Sequence, residues 1–396
     1  MKLPLKAAAL LSAAVLAFTA LPPLSAAAAQ LSVPEISGEY VCSSESEAIQ
    51  QLRQSLKDHI ESVEVVLPDN GEEHKEKSYQ LLYGAFDETG KGTEGDYLRF
   101  SVQGFKCSIS KVNSERHFLY SFRYYTTPEE ENELTEKLEE IMSSQNFDGI
   151  IGNYNKIRSI YQYITSNVEY SENEEDPYAF TAYSALLRGT AVCQGVTQLL
   201  YRMYNDCGIP CRIIAGETVS VSGSNRGNHV WLIVELDGQY YYLDPTWDMK
   251  FGGKSFYYFL KGTYDLDSAA PRLQHIATNA DQKTFPDYAS EEFAAAYPIA
   301  KEAYKAPEYS QGDINGDKLI NAVDASLILA EYARSSTGCF SSFSTAQAGY
   351  ADVDSNSIID AVDASIVLSY YTQISNGSDI SLSDFIKNLD RGVYYV

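Results

Sequence analysis

Positive charge is scarce in this chain. Only 30 Lys and Arg stand against 54 Asp and Glu over 396 residues, a formal net charge of −24. Phosphate backbones are bound by clustered Lys and Arg, so this balance excludes a nucleic-acid partner and argues against anionic membrane surfaces. Long apolar runs are also missing: beyond the N-terminus no segment reaches the roughly 18 apolar residues of a membrane span. Cysteine is sparse. The six, at 42, 107, 193, 207, 211 and 339, are too widely spaced for a dense disulfide framework. Pairing stays open, with Cys42–Cys107 as one candidate. Hydrophobic residues nevertheless make up 44% of the chain, enough to bury a core, and the length suggests two or three domains.

The N-terminus has Lys2 and Lys6, an apolar run from Ala7 to Leu21, and small residues at Ala26–Ala29. This is the pattern of a secretory signal peptide over 1–29, so an exported, soluble, extracellular protein is expected. Cys42 lies well past the cleavage region and is not expected to carry a lipid. Residues 30–127 read as a small α/β region, with a helix over Ser46–Val63 and strands over Tyr97–Val102 and His117–Tyr125. No chemistry motif appears there. Thr127, Pro128 and Glu130 then form a capping box that opens a helix to about Met142. A second helix, Tyr154–Asn167, carries Ile157, Ile160, Tyr161 and Ile164 on one face. One domain is expected over 128–302, a linker over 303–309, a repeat region over 310–375, and an uninformative tail over 376–396.

The stretch RGTAVCQGVTQLLYRMYNDCGIPCRIIAG begins at Arg188 and holds three of the cysteines. Val196, Leu199, Leu200 and Met203 recur at helical spacing, and Gly208 stops the helix. Cys193 therefore sits at the N-terminus of a buried amphipathic helix, where the helix dipole favours a thiolate. Cys207 lies at the opposite end and Cys211 leads into a strand; both read as structural. Further on, NHVWLIVELDGQYYYLDPTWD reads as a hairpin turning at Asp237-Gly238. A two-residue turn makes paired positions sum to 475 and sets His229 and Asp244 diagonally on one sheet face, within side-chain reach. Taken alone, His229 could simply cap a strand and Asp244 begin an Asp-Pro turn. Thiol, imidazole and carboxylate together form the parts of a nucleophilic triad.

These segments, AYSALLRGTAVCQGVTQLLYRMYNDCGIPCRIIAG, then HVW, then YYYLDPTWD, closely resemble the transglutaminase-like superfamily over about 150–265. The resemblance implies an α+β, papain-like core in which a helix bearing the cysteine packs on an antiparallel sheet. It assigns Cys193 as nucleophile, His229 as base and Asp244 as its orienting partner. The Cys193 backbone N–H would help form an oxyanion hole, and Tyr183 is a candidate side-chain donor. No cofactor is implied for this domain. Members of the superfamily cross-link glutamine to lysine, cleave amide bonds, or have lost activity, so a non-catalytic binding module is the alternative to an enzyme.

Two copies of a motif follow, 39 residues apart: DINGDKLINAVDASLILAEY from Asp313 and DVDSNSIIDAVDASIVLSYY from Asp352. Loop positions 1, 3, 5, 9 and 12 are Asp313, Asn315, Asp317, Asn321 and Asp324 in the first copy. In the second they are Asp352, Asp354, Asn356, Asp360 and Asp363. With backbone carbonyls of Leu319 and Ile358 at position 7, the spacing fits two EF-hand-type Ca2+ loops. Position 6 is Lys318 and Ser357, where glycine is usual and a side chain costs about 1 kcal/mol at positive φ. The pair closely resembles a type I dockerin, an all-α duplicated calcium loop and helix. That resemblance implies a cohesin partner on a cellulosome scaffold for plant-polysaccharide breakdown. Ala322, Val323, Ala361 and Val362 would help choose the cohesin, and their identity in both copies implies that either half could dock. The combined expectation is an exported cellulosomal protein whose cysteine domain acts on protein or cell-wall peptides.

Overall fold

The computed structural model describes residues 38–71, 74–223, 226–249, 256–270, 273–278 and 284–390. The expected leader, 1–29, lies outside the described residues. By contact, the chain forms two compact units. One combines the described residues up to Leu134 with those of Val168–Ala303; the other combines Thr135–Asn167 with the described residues from Tyr304 onward.

The first unit opens with β1 (Gly38–Val41) and α1 (Glu45–Lys57). Ser44 caps α1 by accepting the Glu47 N–H, and Ala48, Leu52 and Leu56 bury one face. The helix expected over Ser46–Val63 stops early. His59 takes a left-handed φ of 52°, and Ser62–Pro68 becomes β2, with Val63, Val65 and Leu67 buried. Ser62 and Val66 are buried as well, so the segment is enclosed on both faces, and its pairing with β1 and β4 makes it a strand. After α2 (His74–Ala85) and α3 (Asp96–Ser101) come β3 (Val102–Val112) and β4 (Glu115–Tyr124). The sheet order is β1-β2-β4-β3, parallel between β1 and β2 and antiparallel elsewhere. Cys42 follows β1 while Cys107 lies on β3, at the opposite sheet edge. Strands spaced about 4.8 Å apart put them beyond disulfide reach, and both are free thiols.

The strand expected over Tyr97–Val102 is the other correction. Asp96–Ser101 is helical and all six residues are buried. A fully buried run shows no alternation by which helix and strand can be told apart. The helical turn brings Arg99 onto the Asp96 carboxylate, an i,i+3 ion pair. Asp96 also accepts Arg212 Nε at 2.7 Å, Arg212 Nη2 at 3.1 Å and the Ile213 N–H at 2.9 Å. Burial pushes this carboxyl up, but Arg212 and Arg99 hold it below its ordinary value. The cluster fastens the N-terminal segment to the central sheet.

Next come α4 (Pro128–Ser144) and α5 (Asn153–Asn167). The capping box of α4 forms as expected, Glu130 accepting the Thr127 N–H at 2.8 Å and donating its own N–H to Thr127 Oγ1 at 3.3 Å. Ile157, Ile160, Tyr161 and Ile164 are buried. The short β5 (Glu169–Tyr170) and β6 (Thr190–Ala191) pair in parallel. Then α6 (Cys193–Asp206), buried at every residue but the last, packs on an antiparallel sheet. Its strands are β7 (Cys211–Ser220), β8 (Arg226–Leu236), β9 (Gln239–Leu243) and, after α7 (Pro245–Met249), β10 (Leu273–Ala277), in the order β10-β7-β8-β9. The β8–β9 hairpin turns at Asp237-Gly238, and its register, Leu232 opposite Leu243, has the expected sum. Then α8 (Glu291–Ala296) adds Phe293 to Ile214, Trp231 and Ile233.

The second unit holds α9 (Ala322–Ser336), α10 (Thr345–Ala351), α11 (Ala361–Ser375) and α12 (Leu382–Asp390). Ile314, Ile328, Val353 and Val367 form its core together with Leu382 and Phe385, which come from the tail the sequence left unread. No helix of the described residues is long and apolar enough to cross a membrane.

Replacing Asp96 by Ala leaves the buried Arg99 guanidinium without a carboxylate and Arg212 with Glu88 alone, at 3.1 Å. We expect a loss of about 3–5 kcal/mol of stability, read from urea unfolding of the full chain.

Candidate functional site

Three elements bring the predicted residues together. Cys193 is the first residue of α6, after Val192 at the N-cap. The N-terminus of α6 is seated by close packing: the Val192 N–H donates to Ala179 O at 2.9 Å, and Gln194 Nε2 donates to Phe100 O and Phe180 O. At Gly195 a Cβ would lie 2.6 Å from Thr181 O and 2.9 Å from Ala179 O, so only glycine lets the helix approach that turn. Thr197 Oγ1 then donates to Val230 O at 3.3 Å, one residue from His229.

His229, on β8, is buried, and its Nε2 lies 2.8 Å from Asp244 Oδ2. With Nε2 on the carboxylate, Nδ1 is the nitrogen left for the Cys193 thiol, whose interaction with this ring adds to the rise in its pKa. Burial, the largest effect on His229, pushes its pKa down. The Asp244 charge and hydrogen bond, with a smaller part from Cys193, outweigh it and bring it up to about 10. Asp244 follows β9 and is fully enclosed. Its Oδ1 accepts the Thr246 N–H at 3.0 Å, Thr246 Oγ1 at 2.6 Å and the Trp247 N–H at 3.2 Å. The residue thus starts α7 as an Asp-Pro turn and bonds the imidazole as well, while His229 lies inside β8 rather than capping it. Burial raises the Asp244 carboxyl, but His229 and His275 hold it well below the usual carboxylate range.

His275 was not singled out by sequence reasoning. Its Nε2 lies 3.1 Å from Asp244 Oδ2, and its Nδ1 lies 2.6 Å from Asp267 Oδ1. It comes from the edge strand β10, which carries no motif. At the point where β10 meets β7, a Cβ on Gly216 would sit 2.2 Å from Ile276 O and 2.6 Å from the Trp231 ring. Tyr183 is elsewhere: its hydroxyl donates to Glu133 at 2.8 Å on an exposed surface. The tyrosine that feels the site is Tyr170, whose phenol is raised by burial and then by the charges of Cys193, Glu174 and Asp244. Cys207 is the C-cap of α6, and Cys211 is buried at the start of β7, accepting from Asn205 Nδ2 at 3.3 Å.

The two repeat loops have the same geometry. Asp324 Oδ1 accepts the Ile314 and Asn315 N–H groups, and its Oδ2 that of Asn321. Asp363 does the same with Val353, Asp354 and Asp360. Asn321 and Asp360 cap α9 and α11 in capping boxes. Lys318 and Ser357 both take φ 70°, so the glycine-type conformation is kept without glycine. Asp352 Oδ1 is buried with no partner, and Asp352, Asp354 and Asp363 offer oxygens within 4.8 Å of one another. Ala322, Val323, Ala361 and Val362 are exposed at the starts of the two helices.

Residues 143–245 match the family model of the transglutaminase-like superfamily, and residues 311–371 match that of the dockerin type I domain. The chain carries a transglutaminase-like domain followed by a type I dockerin. Dockerins of this type bind calcium and, in general, cohesins. Among curated proteins the transglutaminase-like chain is similar to kyphoscoliosis peptidase of Homo sapiens and of Mus musculus, each 28% identical over 101 residues. The match covers 23% of this chain and 15% of either relative. Solved structures with similarity include a TGase (15% identity, 52% of this chain and 59% of that one, TM-score 0.26). Another is a putative cysteine protease from Cytophaga hutchinsonii (16% identity, 36% and 62%, TM-score 0.24).

The ion pair fixes the sign of a pH effect. A His229 raised from 6.5 to about 10 contributes stability that is complete below about pH 6.5 and is lost as pH rises through 10. Asp244→Asn removes the attraction. We expect the fall in thermal midpoint between about pH 7 and 10 to be shallower in that variant, measured by pH-resolved calorimetry.

Proposed function

We propose that this chain is an exported, cellulosome-docked cysteine enzyme that attacks acyl carbons of proteins or cell-wall peptides. The observation that carries the reading is the buried His229, hydrogen-bonded to Asp244 at 2.8 Å and electrostatically coupled to the Cys193 thiol at the start of α6. The chain's similarity to the kyphoscoliosis peptidases of Homo sapiens and Mus musculus supports it.

In this reading the Cys193 proton passes to His229, and the thiolate is favoured by the N-terminus of α6. Sulfur attacks the acyl carbon of an amide, and the developing oxyanion is held by backbone N–H groups at the helix start, which have no intrahelical partner. The C–N bond breaks as His229 returns the proton to the leaving amine. Water or an amine then attacks the thioester, giving hydrolysis or transfer, and Cys193 is released.

The dockerin delivers the enzyme to its scaffold. Asp313, Asn315, Asp317, Asn321 and Asp324 with the Leu319 carbonyl would hold one Ca2+. Asp352, Asp354, Asn356, Asp360 and Asp363 with the Ile358 carbonyl would hold the second. All donors are oxygens, as a hard cation requires, and the buried Asp352 Oδ1, without a hydrogen-bond partner, is suited to be a ligand. Ala322, Val323, Ala361 and Val362 would contact cohesin.

The reading is tested by the alkylation rate of Cys193 against pH, followed by peptide mass spectrometry. A thiolate reactive well below the ordinary thiol value of about 8.5, lost in His229→Ala, is the expected result. A rate that rises only near that value and ignores His229 would make the domain a binding module. For the dockerin, calorimetric titration of Asp352→Ala should bind one calcium ion fewer per chain than the parent. Unchanged stoichiometry would reject the ligand assignment.

A further inference from the structure

The chemistry proposed for Cys193 leaves one group on its carboxylate without a role. The His275 side chain has no exposed surface, and both its ring nitrogens face carboxylates, Nε2 at 3.1 Å from Asp244 Oδ2 and Nδ1 at 2.6 Å from Asp267 Oδ1. The Asp267 carboxylate also accepts the His275 backbone N–H. A neutral imidazole has one N–H, so two ionised carboxylate partners are both satisfied only by the doubly protonated ring. Trp247, Trp231 and Tyr258 enclose it, with ring centroids at 4.5, 5.0 and 6.1 Å, and His229 stands at 5.4 Å.

Two imidazoles on one carboxylate also resemble part of a metal site, and their donor atoms lie within 4.8 Å. The separations decide against it. Two ligands of a tetrahedral zinc, each about 2.0–2.1 Å from the ion, stand about 3.3 Å apart. The observed 2.8 and 3.1 Å between nitrogen and oxygen are hydrogen-bond lengths.

We propose that His275 is a positioning residue of the Cys193 site, a buried cation that orients Asp244 and limits its pull on His229. The inference rests on the reading of Cys193 and His229 as a catalytic pair. The chain runs Asp267, His275, Asp244, His229, Cys193; Asp267 is its most exposed member, with 27% of its side chain exposed, while the His275 and Asp244 side chains have none. The other titratable groups facing it are Tyr258, Tyr242 and Tyr170, with Asp248 behind Tyr258. Burial pushes the His275 pKa down, but its bonds to Asp244 and Asp267 bring it above its ordinary value. As a cation near His229 it opposes protonation of that ring, and it favours the Cys193 thiolate. Its loss therefore moves both steps, thiolate formation and His229 deprotonation, to higher pH.

The experiment repeats the Cys193 alkylation profile with full-length His275→Gln and Asp267→Asn, alongside their unfolding midpoints. Glutamine can still donate to Asp244 but carries no charge. Both inflections should move up by about half a pH unit or more, about a threefold change in the charged fraction, with the same direction and a smaller size for Asp267→Asn. Asp267 is partly exposed, so this second variant decides the matter if His275→Gln does not fold. Profiles that superpose on the parent, with only the unfolding midpoints lowered, overturn the inference and leave His275 a packing residue. A parent profile with no His229-dependent thiolate overturns the catalytic reading, and this inference with it.

Discussion

A single carboxylate, that of Asp244, accepts five hydrogen bonds: three from the first turn of α7 and one from each of two histidines. Burying a charge is costly unless it is fully paired, and here each oxygen has at least two donors. That saturation keeps the group ionised without water. It also fixes everything downstream. Two of the donors come from Thr246 and another from Trp247, so the carboxylate cannot turn without undoing α7. The His229 ring is thereby set at one orientation, with one nitrogen committed and the other directed at α6.

The same device recurs at a distance from the site. Asp96 gathers Arg99 from its own helix and Arg212 from a strand 116 residues later. Arg99 packs its guanidinium over Tyr83, Phe86 and Phe285, so the charge is covered by aromatic faces as well as paired. In the repeat loops Asp324 and Asp363 collect backbone N–H groups from two turns of chain. Each of these buried acids ties together segments that are separate in the chain.

The site was legible where spacing alone fixes geometry. The Asp237-Gly238 turn dictates a register, and the register puts His229 beside Asp244; the helix pattern after Cys193 dictates that the thiol stands at a helix start. The duplicated loops were legible because each oxygen donor has a fixed place in a short motif. His275 was not, since it reaches Asp244 from a strand on the far side of β7, a neighbour that only tertiary packing supplies. Tyr170 was missed for the same reason. The segment at Asp96–Ser101 misled because a helix buried on all sides looks like a central strand. Val63 was placed in a helix because nothing in sequence announced the left-handed turn at His59.

The second unit is built from pieces that are not adjacent in the chain. Arg334 of α9 donates to Asn146 O and Phe340 O, Arg158 donates to Phe343 O, and Tyr163 meets Phe340 edge-on. Leu382 and Phe385, beyond the repeat, fill its core. A portable tag cut at the edges of the repeat, 310–375, would therefore be an amputated one: apolar surface now hidden by α5 and α12 would face water, and the tag would tend to stick to itself. Grafting this docking element onto other cargo calls for carrying α12 along and for replacing the greasy face under α5 with polar side chains.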